Sequence, residues 1–360
     1  MNELIYKGAL NSLSFGNISY NLLREMYKKD IKVSLFPIGD KVDLEAFDKI
    51  DESFKQWLAS SINERFDRIN KDLPTLHQWH LNGSENRLSK NQTLFTFHEL
   101  DEPTDIEIKM VNLQDNCIFS SSFSQKVFNN KGCNSHFVPV GFDEDFCTID
   151  REPNDFIHFG IIGKFEKRKN TGQIIHQWAK KYGNNYNYQL TCCIDNPFID
   201  QEQMQGVKYK ILGGKNFGNI NFLPRLKTNS EVNDFMNNID IDLSGLSGAE
   251  GWNLPAFNAT CLGKWSIVMN HTSHLDWSNE ENSILVKPSQ QIECYDNAFF
   301  HKGQPFNQGN INVINDDEMV HAFEESEKKA GNLNEKGLLL KSKFTYEKTL
   351  NNILSIINEK

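Results

Sequence analysis

Strand-like runs, each followed by a helix-like stretch, recur along almost the whole of this 360-residue chain, and that alternation restricts its fold more than any other feature. The first unit is the clearest. Residues 4–10 predict a strand, 11–16 a polar turn bearing a glycine, 18–29 an amphipathic helix and 32–37 the next strand. A charged stretch over about 45–70 predicts helix, and 75–80, 93–97, 117–120 and 137–140 predict further short strands. Strands that alternate with helices cannot pair as hairpins. They form a mostly parallel sheet with helices on both faces.

The pattern breaks at 148–155, a polar stretch with one proline, and then restarts. Strands are expected at 156–162, 188–194, 207–212, 239–243 and 265–270, with helices at 171–181, 230–236 and 254–262. A last amphipathic helix, 344–358, stands alone and is expected to pack back on the first unit. The reading is α/β, with domains at 1–150 and 151–342 and a returning segment at 343–360. A chain of this length suits two domains. In open parallel sheets ligands gather at the C-terminal strand ends, so the cleft between two such sheets is the expected site.

Composition narrows the partners. The formal net charge of −10 opposes a non-specific grip on nucleic acid, which depends on neutralising phosphates, though it leaves room for a local basic patch. Seven cysteines without a CxxC pair predict neither a zinc site nor a disulfide framework, but reduced and mostly buried thiols. No signal-like N-terminus and no run near ~18 apolar residues is present, so a cytoplasmic chain, at most peripheral to a membrane, is expected.

Four stretches should face the cleft. Leu13-Ser14-Phe15-Gly16-Asn17 lies between the first strand and helix, where a glycine admits close backbone approach and a helix start offers free N–H groups; a simple tight turn is the plainer alternative. Thr96-Phe97-His98-Glu99-Leu100-Asp101 ends a strand and puts His98 and Glu99 where substrate would lie, or else forms a helix cap. Gly163-Lys164-Phe165-Glu166-Lys167-Arg168-Lys169-Asn170 follows a strand. Its Lys164 and Lys169, five residues apart, can clamp a diphosphate and stabilise charge on a departing phosphate, unless the run is only a solvated charge cluster. Ser247-Gly248-Ala249-Glu250-Gly251-Trp252-Asn253-Leu254-Pro255 joins one carboxylate, suited to sugar hydroxyls, to a helix N-terminus suited to phosphate oxygens; a turn before a Pro-started helix is the alternative.

Taken together, these stretches resemble the retaining GT-B glycosyltransferases, the group that includes sucrose and glycogen synthases. Lys164 and Lys169 stand at the arginine and lysine of that family's Gly-Arg-x-x-x-x-Lys-Gly segment. Glu250-Gly251-Trp252-Asn253-Leu254-Pro255 resembles its Glu-Gly-Phe-Gly-Leu-Pro. The first stretch resembles the family's N-terminal glycine loop, and residues 120–128 with Val138-Pro139-Val140-Gly141-Phe142-Asp143 resemble the run closing its first domain, so the likeness covers about 8–270.

The resemblance implies a GT-B fold of two Rossmann-like domains facing a central cleft, and a hexosyltransferase that moves a sugar from a nucleotide-sugar co-substrate, UDP- or GDP-sugar, with no other cofactor and no metal. Lys164 and Lys169 would hold the donor diphosphate. Glu250 would meet donor-sugar hydroxyls, Gly163 and the backbone of Gly251, Trp252, Asn253 and Leu254 would lie against donor, and the Gly16–Asn17 loop would cover the diphosphate. His98 or Glu99 would sit by the reacting sugar. Two positions depart from the pattern. Asn258 replaces a ribose-binding glutamate with an uncharged amide, and Asn253 replaces a common glycine at a place where asparagine tolerates positive φ. Asp240-Ile241-Asp242 has the letters of a metal motif but lies in a strand and reads as structural. The acceptor is expected to be a carbohydrate or glycoconjugate, lipid-linked glycans included. The alternatives are a phosphorylase or epimerase of the same fold, a transferase acting on nucleic-acid bases, and a non-catalytic nucleotide-sugar binder.

Overall fold

The computed structural model describes residues 1–39, 41–152 and 154–359; Pro153, the proline of the expected break, lies outside them. The first half runs β1 (Glu3–Gly8), α1 (Ser14–Lys28), β2 (Lys32–Pro37), α2 (Glu52–Asn63), α3 (Arg65–Arg68), β3 (Thr75–Gln78), β4 (Gln92–Thr96), α4 (Asp105–Asn112), β5 (Asn116–Phe119), α5 (Ser122–Asn129) and β6 (His136–Phe137). The second half runs β7 (Ile157–Ile162), α6 (Thr171–Tyr182), β8 (Tyr188–Cys193), α7 (Gln201–Ile211), β9 (Ile220–Phe222), α8 (Asn229–Asn238), β10 (Ile241–Asp242), α9 (Leu254–Cys261), β11 (Trp265–Met269) and β12 (Ile284–Val286). A hairpin of β13 (Gln290–Glu293) and β14 (Asn310–Val313), then α10 (Asp316–Glu327), α11 (Glu335–Leu338), α12 (Leu340–Lys343) and α13 (Tyr346–Asn358), complete the chain.

Two parallel six-stranded sheets result, ordered β2-β1-β3-β4-β5-β6 and β12-β11-β10-β7-β8-β9. The second has the doubly wound order in which the chain reverses beside its first strand, here β7 next to β10. The loops leaving β7 and β10 are therefore the ones that flank a crevice. They are the loops that carry Lys164–Lys169 and Glu250.

Burial explains the elements. On α1, Ile18, Leu22, Leu23 and Met26 are buried against the first sheet, as a 3.6-residue period requires. The strands β3 and β4 are buried along their full length despite polar letters: Ser19 donates to Gln78, Thr75 pairs with Ser89, Gln92 donates to Gln114 and Asn116 donates to Thr93, while His77 is buried with neither ring nitrogen partnered among the described residues. In the second unit Phe159, Trp178, Tyr182 and Phe323 form an aromatic core between the sheet, α6 and α10. The helix α13 returns to the first unit. It packs along α1, with Thr349 donating to the Pro139 carbonyl at 2.8 Å and Lys29 meeting Glu347 at 3.1 Å. All seven cysteines are free thiols, and only Cys147 is exposed.

Several expected elements differ. Residues 207–212 belong to α7 and the following turn rather than to a strand. Asp200 caps that helix by accepting from Gln203 N, only Met204 is buried, and Tyr209 is 63% exposed. Alternating Val-Lys-Tyr-Lys-Ile letters fit a strand equally well, and the cap decides. The strand itself is β9, three residues long. Helix does not fill 45–70: it starts at Glu52, capped by Asp51, while Phe47 ahead of it stacks on Tyr20 at 3.8 Å. At 137–140 only Phe137 belongs to a strand.

Candidate functional site

The loop after β7 begins at Gly163, whose φ of +142° suits glycine alone, and folds through a short helical turn at Lys167–Lys169. This turn places Arg168 inward and Lys169 toward the cleft. Arg168 is buried and bridges two carboxylates, meeting Glu166 and Glu250 each at 3.0 Å, and it also donates to the Ala249 carbonyl. Lys169 Nζ donates to Glu250 Oε1 at 2.6 Å, and Ser247 Oγ donates to the same oxygen at 2.8 Å. The backbone joins the two loops as well, Gly248 N donating to the Arg168 carbonyl. Lys164, further out and 37% exposed, pairs with Glu166 at 3.0 Å.

The electrostatics follow from that packing. Burial by itself would raise the Glu250 carboxyl, but Arg168 and Lys169 outweigh it and hold the group well below the usual carboxylate range. Glu166 is depressed for the same reasons, its burial overcome by Arg168, Lys169 and Lys164. Three cations face Glu166 and Glu250, with Glu99 further off acting on Arg168, and all of them border the cleft, where the two lysines are the more exposed of the cations. Such a site accommodates an anion.

The loop after β10 turns at Asn253, which adopts φ 67° and ψ 66°. Its side chain accepts from Ala256 N and donates to the Ser244 carbonyl at 2.9 Å, so the asparagine both tolerates the left-handed conformation and caps α9. Asn253→Val is expected to cost about 2–4 kcal/mol, joining lost cap to strain at positive φ, whereas Asn253→Gly should cost less than half of that in urea unfolding. Gly251 lies against the Phe97 side chain, and its carbonyl accepts from Ser120 Oγ at 2.7 Å, so β4 and β5 of the first unit abut this loop.

These loops line a cleft of about 790 Å³ between the two sheets, an ordinary size for a small-molecule site. Of the residues expected at a site, Asn17, His98, Glu99, Gly163, Lys164, Lys169, Glu250, Gly251, Trp252, Asn253, Leu254 and Asn258 all border it. Gly16 does not. It sits in the first turn of α1, where a Cβ would lie 2.1 Å from the Asn11 carbonyl, so its role is to let α1 start close to that backbone. Trp252 contributes backbone only, since its indole is 1% exposed and packs on Phe257 and Phe344. His98 is buried with its ring against Phe128, and its Nε2 has no partner among the described residues. Asn258 is 5% exposed, and its Oδ1 is likewise without a partner there.

Sequence reasoning gave Arg168, Glu166 and Ser247 no roles, although all three lie inside the stretches it singled out. It also missed Phe15, Trp79 and Phe97 as a cluster, the Arg225 guanidinium that reaches Ser12 Oγ at 2.6 Å from the other wall, and the loop between β13 and β14, whose Phe299, Phe300 and Asn307 border the cleft. Asp240 accepts from His158 N, and Asp242 is buried with its carboxyl pushed up to about 6 by desolvation; the described residues contain no group of three or more His, Cys, Asp or Glu placed to hold a metal. No helix of the described residues is long and apolar enough to cross a membrane.

No family model and no curated sequence matches the chain. Solved structures do, over their whole length. Sucrose-phosphate synthase from Thermosynechococcus elongatus superposes with a TM-score of 0.70 at 12% identity, covering 100% of this chain and 99% of that one. A glycosyltransferase from Rickettsia africae gives 0.68 at 11% identity, with 100% and 99% covered, and Anabaena HepE in complex with UDP gives 0.67 at 14%, with 100% of both. At such identities the likeness establishes architecture: the chain has the GT-B fold, two Rossmann-like α/β domains facing a central cleft.

Proposed function

We propose that the protein is a glycosyltransferase that moves a hexosyl group from a UDP- or GDP-sugar to a carbohydrate or glycoconjugate acceptor, with retained anomeric configuration and without a metal. The observation that carries this reading is the Lys169–Glu250 contact at 2.6 Å, beside Lys164 and the α9 N-terminus in the cleft between two Rossmann-like sheets. Similar structures support the donor class: HepE is described with UDP-glucose, and an Escherichia coli trehalose-6-phosphate protein with UDP-2-fluoro glucose.

In this reading residues 1–150 form the acceptor side, 151–342 bind the nucleotide sugar, and 343–360 return to the first domain. Lys164 and Lys169 neutralise the diphosphate, supplying the charge that a divalent ion would otherwise bring. Glu250, kept ionised by Arg168, accepts hydrogen bonds from the donor sugar, and Asn258 offers its unpartnered Oδ1 to a ribose hydroxyl. Gly163, Gly251, Trp252, Asn253 and Leu254 present backbone. Asn17 borders the diphosphate from the first domain, and His98 and Glu99 border the reacting sugar. The bond from the anomeric carbon to the diphosphate oxygen breaks as the acceptor hydroxyl oxygen attacks from the same face. The acceptor's proton passes to the departing phosphate oxygen, so no enzymic nucleophile takes part.

Thermal shift against UDP, GDP, ADP and their glucose conjugates, with and without EDTA, tests this. One nucleotide series should stabilise the wild type by about 2–3 kcal/mol at a hundredfold excess over Kd, equally in EDTA, and leave a Lys164→Ala/Lys169→Ala variant unmoved. Absence of any shift sinks the donor reading, and a shift that vanishes in EDTA sinks metal independence.

A further inference from the structure

The two walls of the cleft differ in charge. Every lysine and arginine bordering it, namely Lys164, Arg168, Lys169, Arg225 and Lys227, follows β6 in the chain and belongs to the second domain's wall. The described residues of the first domain's wall include no lysine or arginine at all. Their charged members are Glu99, Glu107 and Asp143. Glu107 is occupied, accepting from Thr104 N and from Asn307 N, and Asp143 accepts from Asn21 and Arg24. Desolvation lowers the His80 imidazole below its ordinary value, with Glu99 and Lys164 acting on it in opposite senses.

What this wall does carry is aromatic. Phe15 is the hub: its ring lies 5.5 Å from Trp79, 4.2 Å from His80 and 5.2 Å from Phe97, and all four side chains border the cleft. Three separate strand ends, after β1, β3 and β4, supply them. Amides border the same cleft. Asn82 is exposed, and Asn17 Oδ1 has no partner among the described residues. The rings meet at 45–73° and line the wall as an apolar pocket rather than a flat face, and such a pocket with amides on the same cleft suits a pyranose, whose C–H face is apolar and whose rim is hydroxylated. A phosphate or carboxylate set down here would lose its hydration beside Glu99 and find no cation on its own wall, the nearest being Lys164 and Arg225 from the wall opposite.

We propose that the Phe15–Trp79–His80–Phe97 wall is the acceptor subsite and that it selects an uncharged sugar ring, excluding phosphorylated and other anionic acceptors. This rests on the transferase reading above and supplies the acceptor class that reading leaves open. It also separates the protein from one acting on nucleic-acid bases, because a polynucleotide would place phosphates along the one wall that carries no cation.

Calorimetric titration of the full chain, saturated with whichever of UDP or GDP stabilises it, decides the matter. The probes are maltose, cellobiose and sucrose as neutral sugars, and glucose against glucose 6-phosphate as a charge pair. At least one neutral disaccharide should bind. Glucose 6-phosphate should bind no tighter than glucose. Trp79→Ala and Phe15→Leu should each weaken disaccharide binding about tenfold, while the Kd for the nucleotide stays within twofold, which also reports that the variants fold. Tighter binding of glucose 6-phosphate than of glucose overturns the proposal. So does disaccharide binding indifferent to both variants, or none at all on a nucleotide-loaded protein. Failure of both nucleotides to bind removes the transferase reading instead, and the same sugar titration without nucleotide still decides the subsite.

Discussion

Exchange of Lys169 for alanine should lower kcat for sugar transfer by about 10²–10³-fold, the cost of losing one preorganised charge where negative charge develops. Lys169 is placed for that size of effect. Its ammonium is held at 2.6 Å from Glu250 Oε1, its side chain is only 16% exposed, and Gly163 leaves room beside it, a Cβ there lying 3.8 Å from Nζ. Donor binding can transfer the ammonium from carboxylate to diphosphate without stranding Glu250, because Arg168 remains on its other oxygen. Lys164 is more exposed, pairs with Glu166 and lies 5.4 Å from the Phe198 ring, so solvent screens it and Lys164→Ala should cost about tenfold. Steady-state kinetics with the donor found by thermal shift checks both. A Lys169→Ala enzyme within threefold of wild-type kcat would remove this lysine from the chemistry.

The parts of the molecule readable from its sequence are those fixed by local period. The β1–α1–β2 unit, β7, α6 and α9 each show an apolar repeat bounded by a turn or cap, and repeat and cap act within a few residues. The segment 207–212 shows the limit, since its letters alternate as a strand would and only the Asp200 cap decides for helix. The candidate site residues divide the same way. Lys164, Lys169 and Glu250 were legible because two strand ends in a doubly wound sheet must flank one crevice. The inward turn of Arg168 was not, for it depends on a helical turn of three residues and on two carboxylates, one of them 82 positions away, both short of counter-charge. The aromatic wall was illegible for a related reason. Phe15, Trp79 and Phe97 meet only after β1, β3 and β4 are set side by side, and no linear spacing encodes that neighbourhood.

Arg168→Met should destabilise the protein by about 3–5 kcal/mol at pH 7, the usual cost of removing one member of a buried ion pair and leaving the others. Methionine fills much of the space but returns nothing to Glu166 and Glu250, both of which are buried. Lys169, Lys164 and Ser247 remain, yet Lys164 is 37% exposed and pairs with Glu166 rather than Glu250, and Ser247 brings no charge. The dependence on pH has a definite sign. The folded Glu250 carboxyl lies below its unfolded value of about 4.3, so the stability it contributes is present above that pH and is lost as pH falls toward the folded value. Removing Arg168 raises the folded value and gives up that contribution, so the gap between variant and wild type should be widest at pH 7 and narrow below about pH 4. Adding Glu250→Gln to Arg168→Met takes away one stranded charge and should restore part of the loss, which a structural defect caused by the methionine itself would not allow. Urea unfolding of the wild type, both single variants and the double variant at pH 7 and at about pH 3 measures this. An Arg168→Met protein within 1 kcal/mol of wild type at pH 7 would show that Lys169 alone keeps Glu250 ionised, and that the buried guanidinium is dispensable to the site.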